Sequence, residues 1–306
     1  MTDKPYAIFG IFNLALANLE LPVQLSENAS IRRITPKERT ELSSRRLCDP
    51  ELLAVADLVL ELPFEEAGEP ASKSRQPAQP GYEKLAESAQ ATYDLLDFAF
   101  SSFFRSEQPY PLRPLLGFAV FFFRGATFSP RRKGIILPTS EKDRPFLDRA
   151  NLAAFKDHTR LFSPSAPDHI RIAVGRYLSA RTSFREEAII ENTIALESLL
   201  GDSAVSNEGS IGYKISLRAA MLAAAAGEER QMLFQFLKEI YSLRSMLVHG
   251  GKVNRQKLDG LEKKHGASYL SWLSATVEKL ILIAAALEEE YPGQYADKLI
   301  LGESRR

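Results

Sequence analysis

Two side chains suited to phosphodiester chemistry stand five residues apart in the stretch Tyr241 to Gly251: Arg244 and His249. Leu233, Leu237, Ile240, Leu243 and Leu247 recur at steps of three and four, which predicts a helix with one apolar face. Arg244 borders that face, where an arginine is costly to desolvate without a partner or a task. Gly250 and Gly251 predict that the helix stops at His249. Histidine moves protons near neutral pH, and arginine stabilises charge building on a phosphorane. The pair therefore suits RNA cleavage in which the 2′-hydroxyl attacks and no metal takes part. At about 100° per residue the two side chains point roughly 140° apart on an undistorted helix. They serve one site if the helix ends at His249, or if a second subunit brings its own pair alongside. The plainer alternative is a structural arginine followed by a histidine cap.

Other residues qualify as supporting groups. Glu197 shares a helical face with Ile190 and Ile194, and a carboxylate in that company usually pairs with a buried cation. Tyr241 and Ser245 have hydroxyls for a phosphate, though helix packing and solvation account for them equally well. Lys214 and Arg218, four apart, make a small basic stripe or simply a solvated helix face. The densest basic cluster is Arg124, Arg131, Arg132 and Lys133, with Phe121, Phe122, Phe123 and Phe128 around it. That mixture fits RNA contact, and it also fits the charged tip of a hairpin. His158, His169 and His265 show no metal-ligand spacing, and no glycine-rich phosphate loop occurs, so no metal or cofactor is expected.

The residues from Ile240 to Gly250 resemble the signature of HEPN-domain ribonucleases, an arginine and a histidine five apart at a helix end, and in particular the Apea-like HEPN family. The segment Ile194 to Gly201 resembles that family's second helix, and Tyr213 to Leu222 the next. All three come in family order, over roughly residues 166 to 290. Many such nucleases carry Asn, Asp or His directly after the arginine, where this chain has Ser245. The resemblance implies an all-α bundle that pairs about a two-fold axis into a homodimer with one composite cleft. It implies Arg244 and His249 as catalytic residues, Arg244 as the partner of Glu197 (with Arg218 the rival), and RNA as substrate. It further implies a metal-independent endoribonuclease of the kind found in anti-phage defence and toxin systems. The alternative is a non-catalytic module that binds RNA, a nucleotide or a protein partner.

The remaining sequence frames this reading. The 306 residues are 45% hydrophobic, enough for one large or two ordinary domains. The formal net charge is zero, so RNA contact would have to be local. A lone cysteine, Cys48, excludes a disulfide framework and a cysteine-based zinc site. Ala7 to Leu21 is too short and too polar to span a bilayer and is not built as a signal peptide, which predicts a cytoplasmic protein without a membrane partner.

Residues 1–165 read as a mixed α/β domain that senses a trigger or inhibitor or selects substrate. Strands are expected between residues 6 and 25, over Ile31 to Ile34, Leu52 to Leu62, Leu116 to Phe123 and Ile135 to Leu137. Helices are expected from the Thr35–Glu38 capping box to about Arg45, over Glu83 to Phe104 and over Asp148 to Phe162. Glu65 to Tyr82 reads as a loop. The prolines of Ser163 to Pro167 mark a boundary. Residues 166–306 read as the bundle, with helices over Asp168 to Ala180, Phe184 to Leu200 behind a Ser183–Glu186 capping box, Ser210 to Ala226, Glu228 to Val248 and Tyr269 to Glu290. The fold class expected is α+β in two domains.

Overall fold

Tyr6–Phe12 (β1) is the middle strand of an antiparallel sheet in the computed structural model. The structure describes residues 6–12, 14–25, 29–44, 53, 56–63, 79–104, 115–123, 126–128, 146–163, 165–201, 211–249, 255–265, 268–287 and 291–302. The chain divides into two compact units, Met1–Pro164 and Ser165–Arg306. It is of the α+β class, with the described strands in the first unit and most of the helix in the second.

In the first unit the further strands are β2 (Ala15–Leu16), β3 (Val23–Gln24), β4 (Ser30–Arg33), β5 (Leu58–Pro63), β6 (Leu115–Phe123), β7 (Ala126–Phe128) and β8 (Phe146–Leu147). Five of them and β1 form the sheet β3-β4-β5-β1-β6-β7, and β2 pairs in parallel with β8. Ala7, Ile8 and Phe9 are fully buried in succession, as befits a strand covered on both faces. Its register runs from Tyr6 opposite Pro63 to Ile11 opposite Leu58, and a bulge at Gly10/Ile11 shifts its pairing with β6. Helix α2 (Gln79–Phe103) lays Tyr93 over Phe9, ring centroids 6.2 Å apart. Helix α3 (Leu152–Leu161) packs on α2 through an edge-on pair, Phe100 and Phe155, 5.0 Å apart.

Helix α1 (Pro36–Ser44) starts from the predicted capping box. The Glu38 amide donates to Thr35 Oγ1 at 3.2 Å, and the Thr35 amide donates to Glu38 Oε2 at 2.9 Å. Two predictions need correction here. Among the described residues of Leu52 to Leu62 the strand begins at Leu58 and Leu53 is helical, and Gln79 to Tyr82, expected as loop, is the first turn of α2. Residues 135–137 lie outside the described residues, as does Cys48.

The second unit holds seven described helices: α4 (Asp168–Ala180), α5 (Arg185–Leu200), α6 (Ile211–Ala223), α7 (Gly227–Val248), α8 (Arg255–His265), α9 (Tyr269–Ala286) and α10 (Pro292–Ile300). Helix α5 lies at the centre, packed against α4, α6, α7, α9 and α10. Helix α9 is long and apolar enough to cross a membrane by length and composition, and half of it is buried inside the unit. At its heart the Tyr177 hydroxyl donates to Glu278.

Helix α5 starts where the sequence predicts, though not in the predicted way. Phe184 occupies the cap position without a side-chain bond, while Ser183 Oγ donates to the Ser179 carbonyl of α4 at 3.0 Å. The last carbonyls of a helix lack intrahelical donors, and α4 captures the hydroxyl that would have capped α5. Helices α8 and α10 are additions to the predicted set. Pro292 opens α10, because proline at the first position lacks only an N–H that would be unbonded anyway.

Candidate functional site

Helix α7 ends at Val248, and His249 is its cap residue, its amide donating to the Ser245 carbonyl at 3.1 Å. Gly250 and Gly251 lie outside the described residues. The helix is unbroken from Arg244 to Val248, and a spacing of five residues on a regular helix corresponds to roughly 140° between Arg244 and His249. Arg244 is turned toward α5 and half-buried, while His249 is exposed on the far side with Ser245.

Glu197 of α5 is the residue Arg244 meets. Arg244 Nη2 lies 3.3 Å from Glu197 Oε1 and donates to Oε2 at 3.4 Å. Both side chains keep about a quarter of their surface, 28% and 23%. The pair is close enough for attraction but long for a charge-assisted hydrogen bond. Arg244 Nε and Glu197 Oε1 are buried without a hydrogen-bond partner among the described residues. Burial pushes the Glu197 carboxyl above its ordinary range, and the Arg244 charge offsets this only in part. A carboxylate satisfied by a tight ion pair would shift the other way. The guanidinium is thus oriented by Glu197 but retains a donor.

Tyr241, one turn before Arg244, is a packing residue and does not reach a surface phosphate. It is 8% exposed, and its hydroxyl donates to the Thr193 carbonyl at 3.4 Å. Burial, followed by the Glu197 charge, raises its phenol well above its usual value, so it stays neutral. Gly212 of α6 touches it. A Cβ at position 212 would stand 2.9 Å from Tyr241 Cβ, so only glycine lets α6 approach α7 this closely.

Arg218 is not part of this group. It is 2% exposed, donates through Nε to Asp297 Oδ1 at 2.8 Å, pairs with Asp297 again through Nη2, and donates through Nη1 to the Leu200 carbonyl at 2.6 Å. It ties α6 to α10 and the end of α5, so the basic stripe with half-buried Lys214 is not a surface feature. Arg124, Arg131, Arg132 and Lys133 lie outside the described residues.

The other histidines serve packing. His158 Nε2 meets Ser102 Oγ at 2.9 Å beside Phe103 and Phe162, and burial lowers its pKa. His265 sits against Phe236 and Trp272. Among the described residues, no three His, Cys, Asp or Glu are grouped to hold a metal ion. Sequence reasoning missed Asp297, whose only signal was the helix-opening proline five residues earlier. It also missed Tyr213, Phe234 and Lys238, a group on the exposed side of α6 and α7. Compared with protein-family models, curated proteins and solved structures, the chain matches none.

Proposed function

We propose that this protein is a metal-independent endoribonuclease of the HEPN type, with Arg244 and His249 as its catalytic residues. The observation that carries the reading is the state of Arg244. It is half-buried at the crossing of α5 and α7, aimed by Glu197, with a buried Nε that no described residue uses. A guanidinium with spare donors suits the charge that develops on a phosphorane. Five residues further on, the exposed His249 imidazole supplies proton transfer. The resemblance of residues 240–250 to the HEPN signature supports the same assignment.

The reaction follows from these groups. The 2′-hydroxyl of the RNA attacks its own phosphorus, the 5′-oxygen leaves, and His249 either takes the proton from the first or gives one to the second. Arg244 stabilises the phosphorane oxygens. The products are a 2′,3′-cyclic phosphate and a 5′-hydroxyl. The active form in this reading is a homodimer in which two copies complete the cleft, supported by the angle of roughly 140° that a regular helix sets between Arg244 and His249 of one chain. A role in anti-phage defence or a toxin system, with the first unit answering a trigger or inhibitor, accords with this activity.

A second reading has its own observation. The contact of Arg244 with Glu197 is also what a bracing arginine would make, which favours a non-catalytic module binding RNA, nucleotide or protein. Incubating purified protein with mixed RNA in EDTA, beside His249→Ala, separates the two. Cleavage by the parent that ends in cyclic phosphate, with none by the variant and none on DNA, is expected. Intact RNA, or equal cleavage by His249→Ala, leaves only the binding module.

A further inference from the structure

Lys238, Ser242, Ser245 and His249 follow one another along α7 at intervals of four, three and four residues, and all four are exposed. At 100° and 1.5 Å per residue, Lys238 and His249 point the same way to within about 20° and stand about 16 Å apart along the helix. An aromatic platform adjoins the Lys238 end. Tyr213 of α6 meets Phe234 of α7 edge-on, centroids 5.3 Å apart at 87°. The Lys238 ammonium lies 5.9 Å from the Tyr213 ring centre and 5.4 Å from that of Phe234. Tyr213 is 52% exposed although it neighbours a close approach of the two helices. Gly212 makes that contact with Tyr241, which leaves the next side chain facing out.

The charge on this face is suited to one kind of ligand. Helix α6 contains no acidic residue, and the α7 stripe has none. The one carboxylate between Lys238 and His249, Glu239, is turned to Lys264 and His265. An exposed ring beside an ammonium, continued by two hydroxyls and an imidazole, matches alternating bases and phosphates of an unpaired strand.

We propose that this face is the track on which a single strand of RNA lies. The inference rests on the ribonuclease reading and adds to it how the substrate is held. One base stacks on Tyr213, Lys238 holds the adjoining phosphate, Ser242 and Ser245 bond the sugar–phosphate chain, and a phosphodiester a few nucleotides on reaches His249. Duplex RNA keeps its base faces stacked inside and does not offer one to Tyr213. Single-stranded DNA fits the same contacts but has no 2′-hydroxyl, so it binds and is not cut.

The test measures binding apart from cleavage. In the full-length chain carrying His249→Ala, a short unstructured fluorescein-labelled RNA is titrated by anisotropy. Adding Tyr213→Ala should weaken binding about tenfold, while Tyr213→Phe keeps the ring and the affinity. Adding Lys238→Ala should weaken binding and reduce the slope of log affinity against log salt by about 0.7, the value for one phosphate contact on a single strand. Unlabelled single-stranded DNA should compete nearly as well as RNA, and a duplex poorly. An unchanged affinity in both Tyr213→Ala and Lys238→Ala, a preference for duplex, or no RNA binding at all overturns the track. Binding that follows these expectations in a protein whose His249 form cuts nothing supports the track and removes the nuclease. Cleavage that survives with full affinity in Tyr213→Ala does the reverse.

Discussion

Glu197 aims Arg244 at a cost to the fold, and the cost is measurable. Its carboxyl titrates above the ordinary range, chiefly through burial. A raised folded pKa means that the contribution of this group to stability is fullest in acid and is lost as pH rises through the folded pKa. Above that point the charged form opposes folding. Glu197→Gln should therefore hold or raise Tm at neutral pH, while lowering kcat by loosening Arg244. A fall in Tm together with unchanged kcat would reverse the assignment. Arg244→Ala should lower kcat by about 10² to 10³ with little change in RNA affinity, as expected for a donor that acts in the transition state. His249→Ala, at an exposed position, should leave Tm unchanged and lower turnover by about 10² or more. Arg218 contrasts with these, because it is buried and bonds to both Asp297 and the Leu200 carbonyl. Arg218→Met should cost about 3 kcal/mol in chemical denaturation, by leaving those acceptors unmatched.

Helices α1 and α5 carry the same capping pattern and use it differently. Thr35 and Glu38 close the box, and Arg32 braces Glu38 through Nη1 at 2.9 Å and Nη2 at 2.6 Å. Burial alone would raise the Glu38 carboxyl, but the bonds from Arg32 and Thr35 outweigh it and hold it below its usual value. For a depressed carboxyl, stability is present above the unfolded pKa and lost as pH falls through the folded pKa. Thr35→Ala should therefore cost about 1 kcal/mol at neutral pH, and Glu38→Gln should flatten the acid side of the stability curve. Ser183→Ala should leave α5 almost unaffected, since its hydroxyl bonds back to α4. The contrast marks how far local sequence reaches. Periodicity located α7 and the buried β1, because every residue there agrees with one face or one covered strand. Helix α8 escaped notice because most of its residues are charged or polar, with Leu258 and Leu261 the buried apolar residues among those described. The meeting of Arg218 with Asp297 joins residues far apart in the chain and left no local pattern. The Glu197 partner followed from resemblance rather than spacing, and the exposed run from Lys238 to His249 was visible in the sequence only as the reverse of the apolar face.

At the scale of the whole molecule, the spacing of Arg244 and His249 bears on how many chains the proposed active site needs. Helix α7 runs intact past Arg244 to Val248 and ends there, with His249 as its cap. In the proposed dimer, a site that uses both draws them from two copies related by a two-fold axis. Light scattering of the active protein should then give about twice the chain mass of 34.1 kDa. The decisive measurement is complementation. Arg244→Ala protein and His249→Ala protein, each inactive alone, are mixed under conditions that let subunits exchange. In a mixed dimer, one chain still offers Arg244 and the other His249, so one arginine–histidine set is complete. With random exchange about half the dimers are mixed, and if each retains one of two sets, about a quarter of the parental activity returns. If Arg244 and His249 acted within one chain, every chain in the mixture would lack one of them, and no activity would return at any ratio.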